Sequence, residues 1–197
     1  KVLFTTGGSD AIEVALKIAR AATGRYKTIS FWDAFHGAGF GAASVGGVQL
    51  FRSHISGPLL PGTEHVAPFA CYRCPYGYPE QEGKPQLELC KMTCAQFVSY
   101  VLEKEGDVAA VIAEPVRSVP YLPPPSFWKE VREACDYDNV VPNILSLGKA
   151  LEGCILPITA ILAKPELHLV ADYALGHYSH EKDPVPSQVS LTHHQHN

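Results

Sequence analysis

One lysine in this chain sits where a neutral amine could be held. Lys149 lies in Ser146-Leu147-Gly148-Lys149-Ala150-Leu151, between a glycine and small or apolar neighbours, just before Gly153. Burial disfavours the ammonium form and frees the amine to attack a carbonyl carbon, the first step of Schiff-base chemistry. Taken alone, a Gly-Lys-Ala stretch reads more simply as a surface lysine beside a turn. Three sets of residues upstream change the weighting. Gly7-Gly8-Ser9 closes a β-prone run and opens an apolar-periodic segment, so free amides at a helix start could receive a phosphate at Gly8 and Ser9; an ordinary capped turn fits equally well. Ala34-Phe35-His36-Gly37 follows a strand, and Phe35 could stack on a flat heteroaromatic ring or serve as a core aromatic beside a surface histidine. Glu114 ends a buried apolar run, where a carboxylate is costly unless paired, unless that end is solvated.

The cysteines raise a separate possibility. Cys71-x-x-Cys74 and Cys90-x-x-x-Cys94 approach paired zinc-ligand spacing. The second pair is irregular and no knuckle glycine follows the first, so a surface segment with reduced, unliganded thiols is the favoured reading and no metal is expected. Cys135 and Cys154 read as small core hydrophobes.

These residues need elements to position them. Val2 to Thr6 reads as a strand, and Ala11, Ile12, Val14, Ala15, Ile18 and Ala19 as one face of a helix begun by Ser9-Asp10 and ended near Gly24. Lys27 to Phe31 is the next strand. From Phe51 to Leu89 the pattern gives way to Pro, Gly, Tyr and Cys, expected as an irregular surface excursion. A helical period returns from Leu87 to Glu105. Val108 to Ala113 reads as a strand buried on both faces, Ser126 to Cys135 as a helix capped by Ser126, and Ile155 to Ala163 as a strand. Alternating βα units predict an α/β fold, a mostly parallel sheet flanked by helices, with ligands beyond the carboxyl ends of the strands. Residues 1–184 are expected to form this one, partial, domain, and 185–197, ending in histidines, a divergent disordered tail.

The totals exclude some partners. A net charge of -4 and a pI near 6.1 offer no basic field for nucleic acid or anionic lipid, and no apolar run approaches a membrane span. The first residues lack a secretory layout and an initiating Met, so the chain reads as a piece whose beginning is missing. A cytoplasmic location is expected, or a mitochondrial one if a presequence precedes it.

In order and spacing, the glycine turn, Ala-Phe-His-Gly, Ala-Glu-Pro and Ser-Leu-Gly-Lys-Ala-Leu resemble the class III (omega) aminotransferases, pyridoxal-phosphate enzymes of fold type I. The resemblance implies that Lys149 carries pyridoxal 5'-phosphate as an internal aldimine. It implies phosphate contacts at Gly8 and Ser9, ring stacking by Phe35 with His36 and Gly37 completing that loop, and Glu114 near cofactor and substrate. It also matches Ser179 to a threonine that reaches the phosphate of a neighbouring subunit, and implies a homodimer. The reaction it implies moves an amino group from an omega-amino acid or amine of the 4-aminobutyrate type to a 2-oxo acid. Cys71-Tyr72-Arg73-Cys74-Pro75 also looks like a subgroup that includes aminophosphonate ammonia-lyases.

One family segment is missing. Asp-Glu-x-x-x-Gly-x-Gly-Arg has no counterpart, because Asp136 to Val141 joins the helix ending near Cys135 directly to Pro142-Asn143. Its aspartate normally pairs with the pyridine nitrogen, so its loss implies a catalytically impaired, truncated or spliced chain.

Overall fold

The structure, a computed structural model, describes residues 1–79, 86–117, 121–135, 143–152, 156–169, 172–176 and 183–195. The chain divides into two compact units. The first comprises Lys1–Arg25, His36–Ala42 and Pro142–Asn197, and the second Tyr26–Phe35 and Ala43–Val141.

The first unit is an antiparallel sheet with a helix on one face. Its strands are β1 (Val2–Thr5), β5 (Ile144–Leu147) and β6 (Thr159–Ala163), in the order β1-β6-β5. Helix α1 (Gly8–Thr23) turns its apolar stripe inward, and Ala11, Val14 and Ile18 form a small core with Ile161, edged by Leu3 and Ile144. Strand alternation sends Val2, Phe4, Leu145, Leu147 and Leu162 to the other face, where they are exposed. The helix ends at Gly24, whose N–H bonds the Arg20 carbonyl. Its cap is Gly7 rather than the expected Ser9 or Asp10, so the N-cap has no side chain with which to bond the first amides.

The second unit holds a parallel sheet, in which β2 (Lys27–Phe31) lies between β3 (Thr63–Val66) and β4 (Val108–Val111). Phe31, Phe69 and Phe127 meet in its core, with the Phe31 and Phe69 rings edge-on at 5.4 Å. Helices α4 (Thr93–Glu105) and α5 (Phe127–Cys135) supply Val98 and Val131 to the same core. The short helix α3 (Gln86–Cys90) belongs to this unit as well, whereas α2 (Phe40–Val45) is divided between the two units after Ala42.

The α/β architecture, with a parallel sheet flanked by helices, is as expected, and several local expectations need correction. The excursion after Phe51 contains β3 and the buried Phe69 and Ala70, because pairing with β2 satisfies a segment too polar to announce itself. The helix expected from Leu87 to Glu105 breaks at Lys91 and Met92, both in the left-handed region at φ 44° and 58°. Among the residues of β4 only Val108 is buried, because the strand lies at a sheet edge among the described residues. Cys135 is exposed rather than in the core, and Cys154 lies outside the described residues. Residues 184–195 form a helix, α6 (Pro184–Gln195), not a disordered tail: proline suits a first turn, and Ser190 is buried.

Candidate functional site

In the first unit the chemistry-bearing residues cluster around the start of α1. The initial amides of a helix have no partner within it, and α1 leaves them without a side-chain cap. Gly8 is exposed, and a methyl group built there would meet nothing within 4 Å, so the space beside it is open. Ser9 Oγ accepts the Ala38 N–H at 2.9 Å. One helical turn on, Glu13 Oε1 accepts the Ala42 N–H at 2.9 Å. Together these bonds lay the segment after His36 along α1.

Alternate glycines make that close docking feasible. Gly37 has φ 134°, and a Cβ there would run into Ser9 Oγ and come within 2.8 Å of Ser9 Cα. A Cβ at Gly39 would lie 2.7 Å from Glu13 Oε1, and one at Gly41 would also run into the Glu13 carboxylate. Glutamate is otherwise an ordinary exposed helix residue, so sequence alone gave no reason to single out Glu13. The glycine alternation Gly37-x-Gly39-x-Gly41 is the signal that could have found it. His36, at the head of this segment, is buried.

Lys149 follows β5 through Gly148 and begins a single 3-10 turn, Lys149–Glu152. Its φ is 47°, a left-handed conformation that costs a residue with a Cβ about 1–2 kcal/mol, and residues held so tend to lie at functional positions. The turn is held from two sides: the Leu151 N–H bonds Gly148 O at 3.2 Å, and Ser190 Oγ of α6 donates to Leu151 O at 2.8 Å. Lys149 is exposed in this chain rather than desolvated.

The second unit carries the aromatic and the carboxylate. Phe35 leans on Phe51, with ring centroids 4.5 Å apart, and is 44% exposed. Its N–H donates to Glu114 Oε1 at 2.9 Å, so the carboxylate at the end of β4 is paired with the loop after β2. Arg117, buried one turn beyond Glu114, brings its Nε to 3.8 Å from the same Oε1. Sequence reasoning passed over this arginine, since an Arg beside prolines reads as surface. Ser179, the remaining candidate, lies outside the described residues.

Cys71, Cys74, Cys90 and Cys94 line one small cavity with Tyr76 and Tyr78. Burial pushes the Cys94 thiol up to about 12 and the Tyr76 phenol up to about 12, and raises Cys71. Among the described residues no group of three or more His, Cys, Asp or Glu is gathered so as to hold a metal ion. Burial also lowers His65, whose Nε2 bonds Gly46 O and whose ring stacks on Trp32 at 4.5 Å.

Comparison with known proteins adds a consistent picture. The model of the family "Aminotransferase class-III" matches residues 1–141. The (R)-1-hydroxy-2-aminoethylphosphonate ammonia-lyase of Vibrio splendidus is 35% identical over 224 residues, covering 97% of this chain and 47% of that protein. The adenosylmethionine-8-amino-7-oxononanoate aminotransferase of Geobacter sulfurreducens is 29% identical, covering 92% of this chain and 46% of that protein. An amine transaminase from an uncultivated Pseudomonas species, solved in its PLP-bound internal aldimine form, has a TM-score of 0.85 at 25% identity, covering 98% of this chain and 51% of that one. The chain thus spans about half the length of the relatives it matches. The 224 residues of the first alignment exceed the 197 of the chain, so that relative has residues with no counterpart here.

Proposed function

The chain belongs to the class III aminotransferase family, and on that premise we propose that it serves pyridoxal-phosphate-dependent transfer of an amino group from an omega-amino acid or amine to a 2-oxo acid. The observation that carries this reading is Lys149, an amine on a residue held in the left-handed region at the start of the turn after β5, a turn braced by α6. Pyridoxal phosphate, when bound, supplies an electron sink for negative charge on the substrate carbon.

The residues present fit that group in two respects. The open space at Gly8 and the uncapped amides of α1 suit a phosphate, and Ser9 accepts from Ala38, which leaves its own hydroxyl proton to donate to a phosphate oxygen. The half-exposed ring of Phe35 suits a flat heteroaromatic face. Lys149 Nζ holds and returns the proton at the substrate carbon. Glu114, by accepting the Phe35 N–H, fixes the loop that carries the ring. The acidic partner of the ring nitrogen has no counterpart in the sequence, and the family match ends at residue 141, where that segment is missing. Reduced turnover follows from this gap. A homodimer, with Ser179 reaching the partner's phosphate site, belongs to the same reading.

A second reading has its own support. The Vibrio splendidus relative is an ammonia-lyase, and Cys71-Tyr72-Arg73-Cys74-Pro75 looks like the corresponding stretch of a subgroup that includes such enzymes. Purified chain supplied with pyridoxal phosphate and, in separate reactions, 4-aminobutyrate or an aminophosphonate distinguishes the two. Amine loss that requires a 2-oxo acid supports transfer, and ammonia release from an aminophosphonate without an acceptor supports the lyase. Lys149→Ala should abolish either. No cofactor-dependent absorbance change and no turnover would overturn both for this chain.

A further inference from the structure

Two contacts tie the segment after His36 to α1, and they share one register. Ser9 and Glu13 stand one helical turn apart, a rise of about 6 Å, and the amides they accept, those of Ala38 and Ala42, have the same spacing in sequence. All four residues belong to the first unit. Ala42 lies in the opening turn of α2, which holds no acidic residue of its own. The first amides of a helix lack partners within it and favour a negative group beside them. Glu13 supplies that group from α1, with Oε1 2.9 Å from the Ala42 nitrogen.

The glycines show how closely the carboxylate is seated. For a Cβ built at Gly41 the three nearest atoms all belong to the Glu13 carboxylate, and for one at Gly39 all three belong to the Glu13 side chain. Neither glycine has a left-handed φ, so Glu13, and not backbone conformation, keeps a side chain out of both positions. At the other end of the register, the Ala38 N–H takes a lone pair of Ser9 Oγ and leaves the hydroxyl proton for another acceptor. We propose that Glu13 is a positioning residue for phosphate recognition at the start of α1. It anchors the 37–42 segment at Ala42, and the anchored segment keeps the Ala38 N–H on Ser9, so that the Ser9 hydroxyl donates to the phosphate. The inference rests on the phosphate contact at Gly8 and Ser9 in the proposed function, and adds the residue that sets it.

The test compares uptake of pyridoxal phosphate and of pyridoxal, which lacks the phosphate, by the full chain, read from the absorbance change that Lys149→Ala abolishes. The ratio of the two affinities isolates the phosphate contact from the general effects of folding. The wild type should prefer pyridoxal phosphate, and Glu13→Ala should cut that preference about tenfold with pyridoxal uptake unchanged, the scale of one charge-assisted hydrogen bond. Glu13→Gln keeps an acceptor for the Ala42 N–H and should restore most of the preference. Glu13→Asp, one methylene shorter, should behave as Glu13→Ala and takes its place if that variant does not fold. Gly41→Ala should lower the preference too, because its methyl meets the carboxylate, and should lower it no further in a Glu13→Ala background. Equal loss of pyridoxal and pyridoxal phosphate would make Glu13 a structural residue and overturn the proposal, as would no rescue by Gln or additive losses in the double variant. A wild type that takes up the two aldehydes equally, or neither, would remove the proposed phosphate site and this inference with it. A preference that is present but indifferent to Glu13 would leave the proposed function standing and overturn this inference alone.

Discussion

In the first unit, functional groups are set by close backbone approach: glycines at 37, 39 and 41 admit Ser9 and Glu13, and four buried residues form the central core. In the second, Phe35, Glu114 and the buried Arg117 belong to a unit with a larger core of packed aromatic rings and a set of half-buried thiols. The difference teaches where each unit is vulnerable. Backbone docking is sensitive to any added atom but loses little apolar surface when perturbed. An aromatic core fails by cavity formation, and buried ionisable groups make it respond to pH.

The sharpest break of that comparison is Phe127→Ala. Phe127 is fully buried against Phe31 and Phe69, so truncation should cost about 3–5 kcal/mol in denaturant unfolding, against roughly 0.5–1.5 kcal/mol for Ile161→Val in the first unit. Equal costs would dissolve the distinction. Next is Gly37→Ala, which adds one carbon at φ 134° against Ser9 and should cost roughly 1–3 kcal/mol together with a loss of phosphate affinity. Glu13→Ala should cost about 1 kcal/mol and speed amide exchange at Ala42, whereas Glu13→Gln keeps an acceptor and should restore protection. Failure of Gln to rescue would show that packing, not the hydrogen bond, holds the segment.

The smallest effect at neutral pH is the alkaline one. Cys94 and Tyr76 have folded values raised to about 12 from ordinary values of 9.0 and 10.0. Below pH 9 both states keep these protons and nothing changes. From pH 9 toward 12 the unfolded chain ionises while the folded one does not, so stability should fall over that window. Cys94→Ala with Tyr76→Phe should flatten the fall, and an unchanged pH profile would remove these two groups as its cause.

Legibility in the sequence followed local pattern. Helix α1 could be read because Ala11, Val14 and Ile18 recur at helical spacing and glycines flank it. Strand β3 could not, because Thr63-Glu64-His65-Val66 is short, polar and enclosed by prolines, and becomes a strand only by pairing with β2. Helix α6 has little apolar periodicity, and its Ser190 is tied by a hydrogen bond to the carbonyl of Leu151, distant in sequence. For the candidate site, the residue types and their order were legible, since Lys149, Gly8, Ser9, Phe35 and Glu114 stand in local motifs. Their geometry was not. The Ser9–Ala38 and Phe35–Glu114 bonds, the strain at Lys149 and the burial of Arg117 are tertiary facts that no window of sequence contains.

The central claim is that Lys149 is the amine this chain offers to a carbonyl cofactor. Incubation with pyridoxal phosphate, borohydride reduction and peptide mass mapping test it directly. The account predicts one dominant reduced adduct, on the peptide containing Lys149, diminished by competing inorganic phosphate and by Gly37→Ala. Labelling spread over the surface lysines, or unchanged in Lys149→Ala, would contradict it.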